Sequence, residues 1–493
     1  MSHMSIPRRG RPAISGPGSH VTIGALLGAF FLIQAVMGLN FLLTLFAGAV
    51  AVLLTATLWT TPPALVFAAG LQFVAITTKL IQANLFGVSV NSLSELGGDI
   101  ETAIWVSLAG LSALVIGMKL GLRLIPGRSV NLSEEVRQWT PWNAFLFCGA
   151  AMALQFVFEA ASRFSGGLTQ LLLAAGGVQW VGVFVLTYVC FVQNRGYHLL
   201  AIVVALEVAV GLLGIFSAFK EVFFVLIIAI LAARVRFNLP VLISAALAAL
   251  VLIVLSTYWT IIKPSYRSYL ANSSPAIEEQ YDFLTSAAGQ VTLDSFGEGM
   301  KKLAARVSYV DFFAKAIEYV PAARPHEDGA LLGAAISHVL FPRLIFSDKP
   351  PLEADTIITG RYTGIAAYQG PINASISLGF FAELYIDFGV VGMCVCLLLL
   401  GAAYGALFSF LLHDRAYSAL INAGIAVMVA LTFWQFERSL PKTVGAALTT
   451  FLVALVLRKY VFPHLLAKFG LLTHQKRNIP YPPPVQRSKF RPR

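Results

Sequence analysis

The chain has 493 residues, 57% hydrophobic and only 12% charged, with a mean hydropathy of +0.77. A soluble domain carries about a quarter of its residues as charged side chains, so a soluble globular enzyme is excluded. The net charge of +11 does not point to nucleic acid either: Arg8, Arg9 and Arg11 in one tail and nine cations from Arg458 to Arg493 in the other account for more than all of it.

Apolar runs of roughly 17–25 residues, enough to cross a hydrocarbon core about 30 Å thick, recur along the chain. Inside lipid every backbone polar group needs an internal partner, so runs of this length are helices. The predicted fold is an all-α polytopic membrane protein with about 12 transmembrane helices. Residues 1–20 form a basic N-terminus. Its first four residues, Met-Ser-His-Met, are set aside as an expression remnant. No cleavable signal peptide is expected, because the first apolar run continues into a second. Nine spans fill residues 21–262, at about 21–38, 40–59, 63–83, 103–123, 142–162, 168–191, 198–218, 220–234 and 239–262. Residues 263–372 form a large polar segment. Three more spans, at 387–412, 416–436 and 443–462, lie within residues 373–462. Residues 463–493 form a basic tail whose Pro480-Tyr-Pro-Pro-Pro run reads as disordered.

With the N-terminus in the cytoplasm, the short loops holding Arg123, Arg128 and Arg137, then Arg195, Arg234, Arg236 and Arg415, fall inside. The loop with Glu95, Asp99 and Glu101 carries no Lys or Arg and falls outside. This is the positive-inside pattern, with basic cytoplasmic ends beside anionic lipid. It puts 263–372 outside and both termini in the cytoplasm. The exceptions are Lys220 and the Arg438/Lys442 turn, which are positive yet outside.

The large segment holds 22 of the 59 charged residues. Within it, Asp294 to Val320 reads as one amphipathic helix: Met300, Leu303, Val307, Val310, Phe313, Ile317 and Val320 recur at three- and four-residue steps. Asp294 or Ser295 is the expected cap and Pro321 the stop. Beyond it, Pro342 to Pro351 is apolar and proline-stiffened yet carries Arg343 and Lys349, a rigid mount of the kind that stabilising a developing negative charge requires. Cys148, Cys190, Cys394 and Cys396 all lie in apolar runs, so the segment has neither a disulfide framework nor a cysteine-based zinc site.

Ionisable residues within or at the rim of spans are costly to place and default to functional hypotheses. Lys220 and Glu221 sit at the turn between the seventh and eighth spans. Either they form a local ion pair, or Lys220 meets an anionic group at the outer interface. Arg267, Arg306, Arg343, Lys349 and Arg361 add cations on the same side, and guanidinium forks match phosphate oxygens two at a time. A solvated loop surface is the alternative for each of them singly. Glu383, in an apolar stretch entering the tenth span, is either a general base of raised pKa or a fold-holding partner of a loop arginine. His338 is a second candidate base, although a lone histidine is more often structural. Glu207 inside the seventh span admits proton coupling, and Arg438 repeats the anion logic of Lys220.

At these residues the chain resembles the bacterial O-antigen polymerases, the Wzy-type oligosaccharide repeat-unit polymerases of the O-antigen polymerase/ligase superfamily. The likeness runs from Ser217 to Gly392. It rests on the Lys220-Glu221 turn, on the helix bearing Ala305-Arg306-Val307-Ser308, and on Gly329, His338 and the Pro342–Pro351 segment. It rests also on Gly379, Glu383, Tyr385, Phe388, Gly389 and Gly392, similar to a GxxxExYxxFGxxG stretch. One departure is that an arginine followed eleven residues later by glycine is found neither at Arg343 nor at Arg361, where Ala354 and Ile372 stand.

The resemblance implies a metal-independent glycosyl transfer with no cofactor. The donor is a growing glycan on undecaprenyl diphosphate, and the acceptor is the sugar of a second lipid-linked repeat unit. Lys220, Arg267, Arg306, Arg343, Lys349, Arg361, Tyr385 and Arg438 would bind diphosphate and substrate, and Glu383, His338 or Glu221 would act in proton transfer. Membrane lipids are the other expected partners, with a chain-length regulator left open and no nucleic acid. An O-antigen ligase transferring to lipid A-core and a lipid or polysaccharide transporter are the alternatives.

Overall fold

The computed structural model describes residues 18–57, 61–125, 132–213, 219–235, 239–273, 277–340, 346, 352–365, 376–414 and 416–469. Among them every regular element is helical. The first ten α-helices are α1 Gly18–Met37, α2 Phe41–Thr57, α3 Pro63–Phe86, α4 Ile100–Leu124, α5 Leu132–Val136, α6 Pro141–Ser162, α7 Thr169–Gly176, α8 Val178–Gln193, α9 Tyr197–Leu213 and α10 Phe219–Ala232. The remaining ten are α11 Leu239–Ser273, α12 Ile277–Gly289, α13 Leu293–Val307, α14 Val310–Tyr319, α15 Ala330–Leu340, α16 Asp355–Thr363, α17 Phe380–His413, α18 Ala419–Ala430, α19 Leu440–Val456 and α20 Phe462–Lys468. Seven helical stretches among the described residues are long and apolar enough to cross a membrane: Pro63–Phe86, Ile100–Leu124, Pro141–Ser162, Gly166–Gln193, Ala246–Leu270, Phe380–His413 and Leu440–Lys468. The protein is therefore a helical membrane protein.

A helix occupies each of the twelve positions where a span is expected, with three differences. The sixth position is divided, because the chain bends at Gly177, where an added Cβ would lie 2.9 Å from Met428 of α18. At the ninth, α11 runs through Pro264 to Ser273 instead of ending near 262. A proline removes one helical hydrogen bond, and here aromatic contacts carry the helix past it: Tyr266 meets Trp259 at 5.6 Å and Tyr269 stacks on Phe283 of α12 at 4.7 Å. Lys263 and Arg267 are thus helical residues. At the tenth, α17 begins at Phe380 and is interrupted at Gly389, whose φ of 66° favours glycine.

The helix expected over Asp294–Val320 is two helices. Thr292, not Asp294 or Ser295, caps α13 and forms a reciprocal capping box with Ser295. The helix stops at Ser308, and α14 restarts at Val310. The break lets Asp311 turn inward to Lys79 of α3 while Val310, Phe313, Ala314 and Ala316 bury fully. A single straight helix would hold Asp311 in the register of α13.

The centre of the bundle is α4 lying along α17 in the same direction. Glycines set the distance. A Cβ at Gly117 would come within 2.0 Å of the Leu398 carbonyl, and one at Gly121 within 2.0 Å of that of Ala402. From the other side, a Cβ at Gly401 or Gly405 would come within 2.1 and 2.2 Å of the carbonyls of Leu114 and Met118. Both pairs have G-x-x-x-G spacing, which brings membrane helices to backbone contact where no hydrophobic driving force separates them from lipid. Gly121→Val is expected to lower the thermal unfolding midpoint in detergent, with an overpacking cost of about 1–3 kcal/mol or more. Gly149→Ala, where an added Cβ meets nothing within 4 Å, should leave it unchanged. Equal midpoints for the two variants would sink the close-packing account.

Candidate functional site

Lys220 lies in the first turn of α10, with its Nζ 5.0 Å from the ring centroid of Trp434. Trp434 belongs to the turn between α18 and α19 and meets Phe224 of α10 edge-on at 5.0 Å. That turn is fixed by backbone contacts. Arg438 donates from Nη1 to the Thr432 carbonyl (2.9 Å), Phe380 N–H donates to the Arg438 carbonyl (2.9 Å), and Gln72 of α3 donates to the Phe433 carbonyl (2.9 Å). Helix α13 reaches the same end of the bundle by packing Gly299 onto α11, where its Cβ would touch Ile261 at 2.6 Å.

These elements bring charges together. Arg306, Glu437 and Glu221 act electrostatically on Lys220, while Arg306, Arg267 and Lys220 act on Lys263. Lys220 and Arg438 act on Glu221. Burial pushes the Arg438 guanidinium down from its ordinary value, against the pull of Tyr404, Glu221, Glu437 and Asp355. Five cations are therefore linked electrostatically with Glu221 and Glu437 and, at the Arg438 end, with Asp355. None of Lys220, Lys263, Arg267 or Arg306 makes an ion pair among the described residues. Among the described residues the buried Arg267 Nε has no hydrogen-bond partner. Gathered like charges repel, and an orphaned buried donor costs about 1–3 kcal/mol, so the arrangement suits an anion that supplies the missing acceptors.

Of the expected site residues, Lys220, Glu221, Arg267, Arg306 and Arg438 meet here. Arg343 and Lys349 lie outside the described residues. Tyr385 is buried, donates to the Val320 carbonyl at 3.0 Å and packs on Phe313 and His326. Arg361 forms a fork with Glu353, donating from Nη1 to Oε2 at 2.9 Å and from Nη2 to Oε1. It belongs to a separate group with Arg324, which lies 4.8 Å over the Tyr362 ring and pairs with Glu327 at 2.7 Å. Burial raises the Glu327 carboxyl, but hydrogen bonds from Arg324 and Tyr362 and the charges of Arg324 and Arg361 bring it below its ordinary value. His338 is half-buried in the last turn of α15.

Glu383 is 3% exposed, and its Oε2 accepts the Leu440 N–H at 2.8 Å, closing the start of α19. Its partner is a backbone amide, not a loop arginine. Asp387 does the same for α15, accepting from Leu331 N–H at 3.0 Å and Leu332 N–H at 2.7 Å. Glu383→Ala is expected to cost about 1–3 kcal/mol by leaving that amide unsatisfied, while Glu383→Gln keeps an acceptor and loses less. Thermal unfolding of both variants checks this, and equal losses would contradict the capping role.

Two groups escaped sequence reasoning. Lys263 opens the polar segment 263–372 in the sequence, yet in α11 it stands one helical turn before Arg267 on the same face. Lys79, inside an apolar span, is buried against Asp311 and also donates to the Leu93 carbonyl at 3.0 Å. Its position in a span was the available signal.

No curated protein and no solved structure matches the chain. A family model described as a domain of unknown function, DUF8712, matches residues 102–468, which run from the first turn of α4 to the end of α20 and include every residue of the cation cluster. With well over half its length matched, the chain belongs to that family.

Proposed function

We propose that this chain is a membrane-embedded, metal-independent glycosyltransferase. It polymerises undecaprenyl-diphosphate-linked oligosaccharide repeat units into a surface polysaccharide such as O-antigen or exopolysaccharide. In this reading it crosses the bacterial inner membrane twelve times. Both termini are cytoplasmic, and the stretch 263–372 forms the periplasmic part.

The observation that carries the proposal is the gathering of Lys220, Lys263, Arg267 and Arg306, without carboxylate partners among the described residues, at one end of an apolar helical bundle. A lipid diphosphate has that polarity: a doubly phosphorylated head and a long apolar tail. In the reaction an acceptor hydroxyl attacks the anomeric carbon of the donor sugar. The bond from that carbon to the diphosphate oxygen breaks, and the electron pair leaves with undecaprenyl diphosphate. Fixed cations stabilise that charge as it develops. Glu221, beside Lys220 and free of hydrogen bonds among the described residues, takes the hydroxyl proton. Glu383 is already engaged in closing α19, so the proposal gives Glu221 the base role.

The test is incubation of the purified protein in nanodiscs with one lipid-diphosphate-linked repeat unit, with products resolved by gel and mass spectrometry. A ladder of multiples is expected. Single transfer seen only after a lipid A-core acceptor is added would make the protein a ligase. No product with authentic substrate would overturn the transfer reading.

A further inference from the structure

Beside the cation cluster the bundle holds a second, half-open space with both polar and apolar side chains in its lining. A cavity of about 240 Å³ among α6, α7, α8, α10, α18 and α19 is lined by Gln155, Glu159, Gln179, Glu221, Thr432 and Thr450, with Trp180 as an aromatic wall. Polar side chains at membrane-helix contacts ordinarily bond across to a neighbouring helix, so those of four helices, α6, α8, α10 and α19, and of Thr432 just past α18, converging on one space, ask for a ligand.

The chemistry of the lining narrows its class. Glu159 accepts from Gln155 Nε2 at 2.9 Å and pairs with Arg163 at 3.4 Å. Glu221 lies in the field of Lys220 and Arg438. Both carboxylates are thus offset by cations, and the lining is not a bare acidic cage for a metal or sodium ion. What it offers is mixed: amides that donate and accept, hydroxyls that do both, and carboxylates that accept. Gln179 has no hydrogen-bond partner among the described residues, and Trp180 adds an aromatic residue to the lining. Neutral, hydroxyl-rich rings use this combination of alternating donors and acceptors with an apolar face. Pockets for drug-sized ligands run to about 300–1,000 Å³, so a cavity of about 240 Å³ admits one ring and not a chain.

We propose that this cavity binds a single sugar ring, the acceptor residue of the lipid-linked repeat unit, and that Gln155, Glu159 and Gln179 determine which sugar is accepted. The inference rests on the glycan-transfer reading for the molecule that brings the sugar. Lys220 and Glu221 join the two sites: one belongs to the cation cluster, and its neighbour lines the cavity. An acceptor hydroxyl bound beside Glu221 would therefore lie next to the cluster that holds the donor's diphosphate.

The experiment uses the full chain in nanodiscs and three probes. A panel of methyl hexopyranosides is followed by saturation-transfer NMR, and geranyl diphosphate and radiolabelled sodium are followed by direct binding. Gln155→Met and Gln179→Met remove the amides at nearly constant volume. At least one glycoside should bind the wild type and weaken about tenfold in each variant, the loss of a buried hydrogen bond to a sugar hydroxyl. Geranyl diphosphate binding should stay within about twofold, which also shows that the variants are folded. Glycoside binding that is absent from the wild type, or unchanged in both variants, overturns the cavity assignment. So does saturable sodium binding that Glu159→Gln abolishes in the absence of glycoside binding. A wild type that binds no diphosphate overturns the transfer reading instead, and the glycoside result then judges the cavity alone. If a variant loses diphosphate binding too, Gln179→Glu, isosteric and still polar, decides: an altered order of preference across the panel supports the assignment, and an unaltered one overturns it.

Discussion

Alanine at Lys220 is expected to reduce ladder formation by about 10²–10³-fold, the usual effect of removing one fixed donor from a developing negative charge. The ammonium lies 5.0 Å from the Trp434 ring and makes no ion pair among the described residues. In the folded protein its charge is met only by that ring and by the fields of Glu221 and Glu437. A transferring diphosphate leaves with more negative charge on its bridging oxygen than it had in the bound donor, so the loss should fall on kcat as well as on kcat/KM. Arg306→Ala should act in the same direction and less strongly, because Arg306 is exposed and solvent screens it. Lys315→Ala serves as the control. Its exposed pair with Glu318 spans one helical turn, and such pairs contribute little, so turnover should hold within about twofold. A Lys220→Ala protein that extends the glycan at the wild-type rate would remove the cation cluster from the mechanism.

The largest expected loss of stability comes from Asp311→Ala. Lys79 and Asp311 are joined across α3 and α14 with side-chain exposures of 3% and 8%. The carboxylate also accepts the Glu95 N–H at 3.0 Å. Breaking a buried pair from one side costs about 3–5 kcal/mol where the remaining charge has no other partner, and a loss toward the lower end is expected here, because Lys79 keeps the exposed Glu95 carboxylate at 3.4 Å. Replacing both partners together, as Lys79→Met with Asp311→Leu, should recover much of that loss, since apolar substitutes of similar size often equal a buried ion pair. Thermal unfolding in detergent of the two single variants and the double variant measures the coupling directly. Strictly additive losses would mean that the two side chains are not acting as a pair.

Several parts of the site were open to inspection in the linear sequence. Lys220 was conspicuous because a positive residue at an outer turn conflicts with the positive-inside pattern, and Arg267 and Arg306 were conspicuous as cations on the same side. Their grouping with one another was not legible. It depends on α13 folding back onto α11 through Gly299 and on the turn at 431–439 presenting Trp434 and Arg438. Glu383 shows the opposite case. A carboxylate in an apolar stretch reads equally as base or anchor, and only the position of the Leu440 amide distinguishes them. The capping role of Asp387 is invisible for the same reason, since the amides that donate to it are on α15, more than fifty residues away in the chain. The cavity is not legible in the sequence because Gln155, Glu159, Gln179 and Thr450 are unremarkable one by one in three separate apolar runs.

By itself, the sequence determined the helical membrane architecture and the positions of its apolar helices, because lipid leaves a long apolar run no other way to satisfy its backbone. It also determined which charges are expensive enough to require a reason. Tertiary structure alone decided where helices end and which ones touch. The continuation of α11 past Pro264, the break between α13 and α14, and the pairing of α4 with α17 through Gly117, Gly121, Gly401 and Gly405 all depend on contacts between residues remote in the chain. Hydropathy and helical period describe a segment's relation to solvent and lipid. They carry no information about which backbone will lie against it, and the cation cluster and the cavity are both products of that choice.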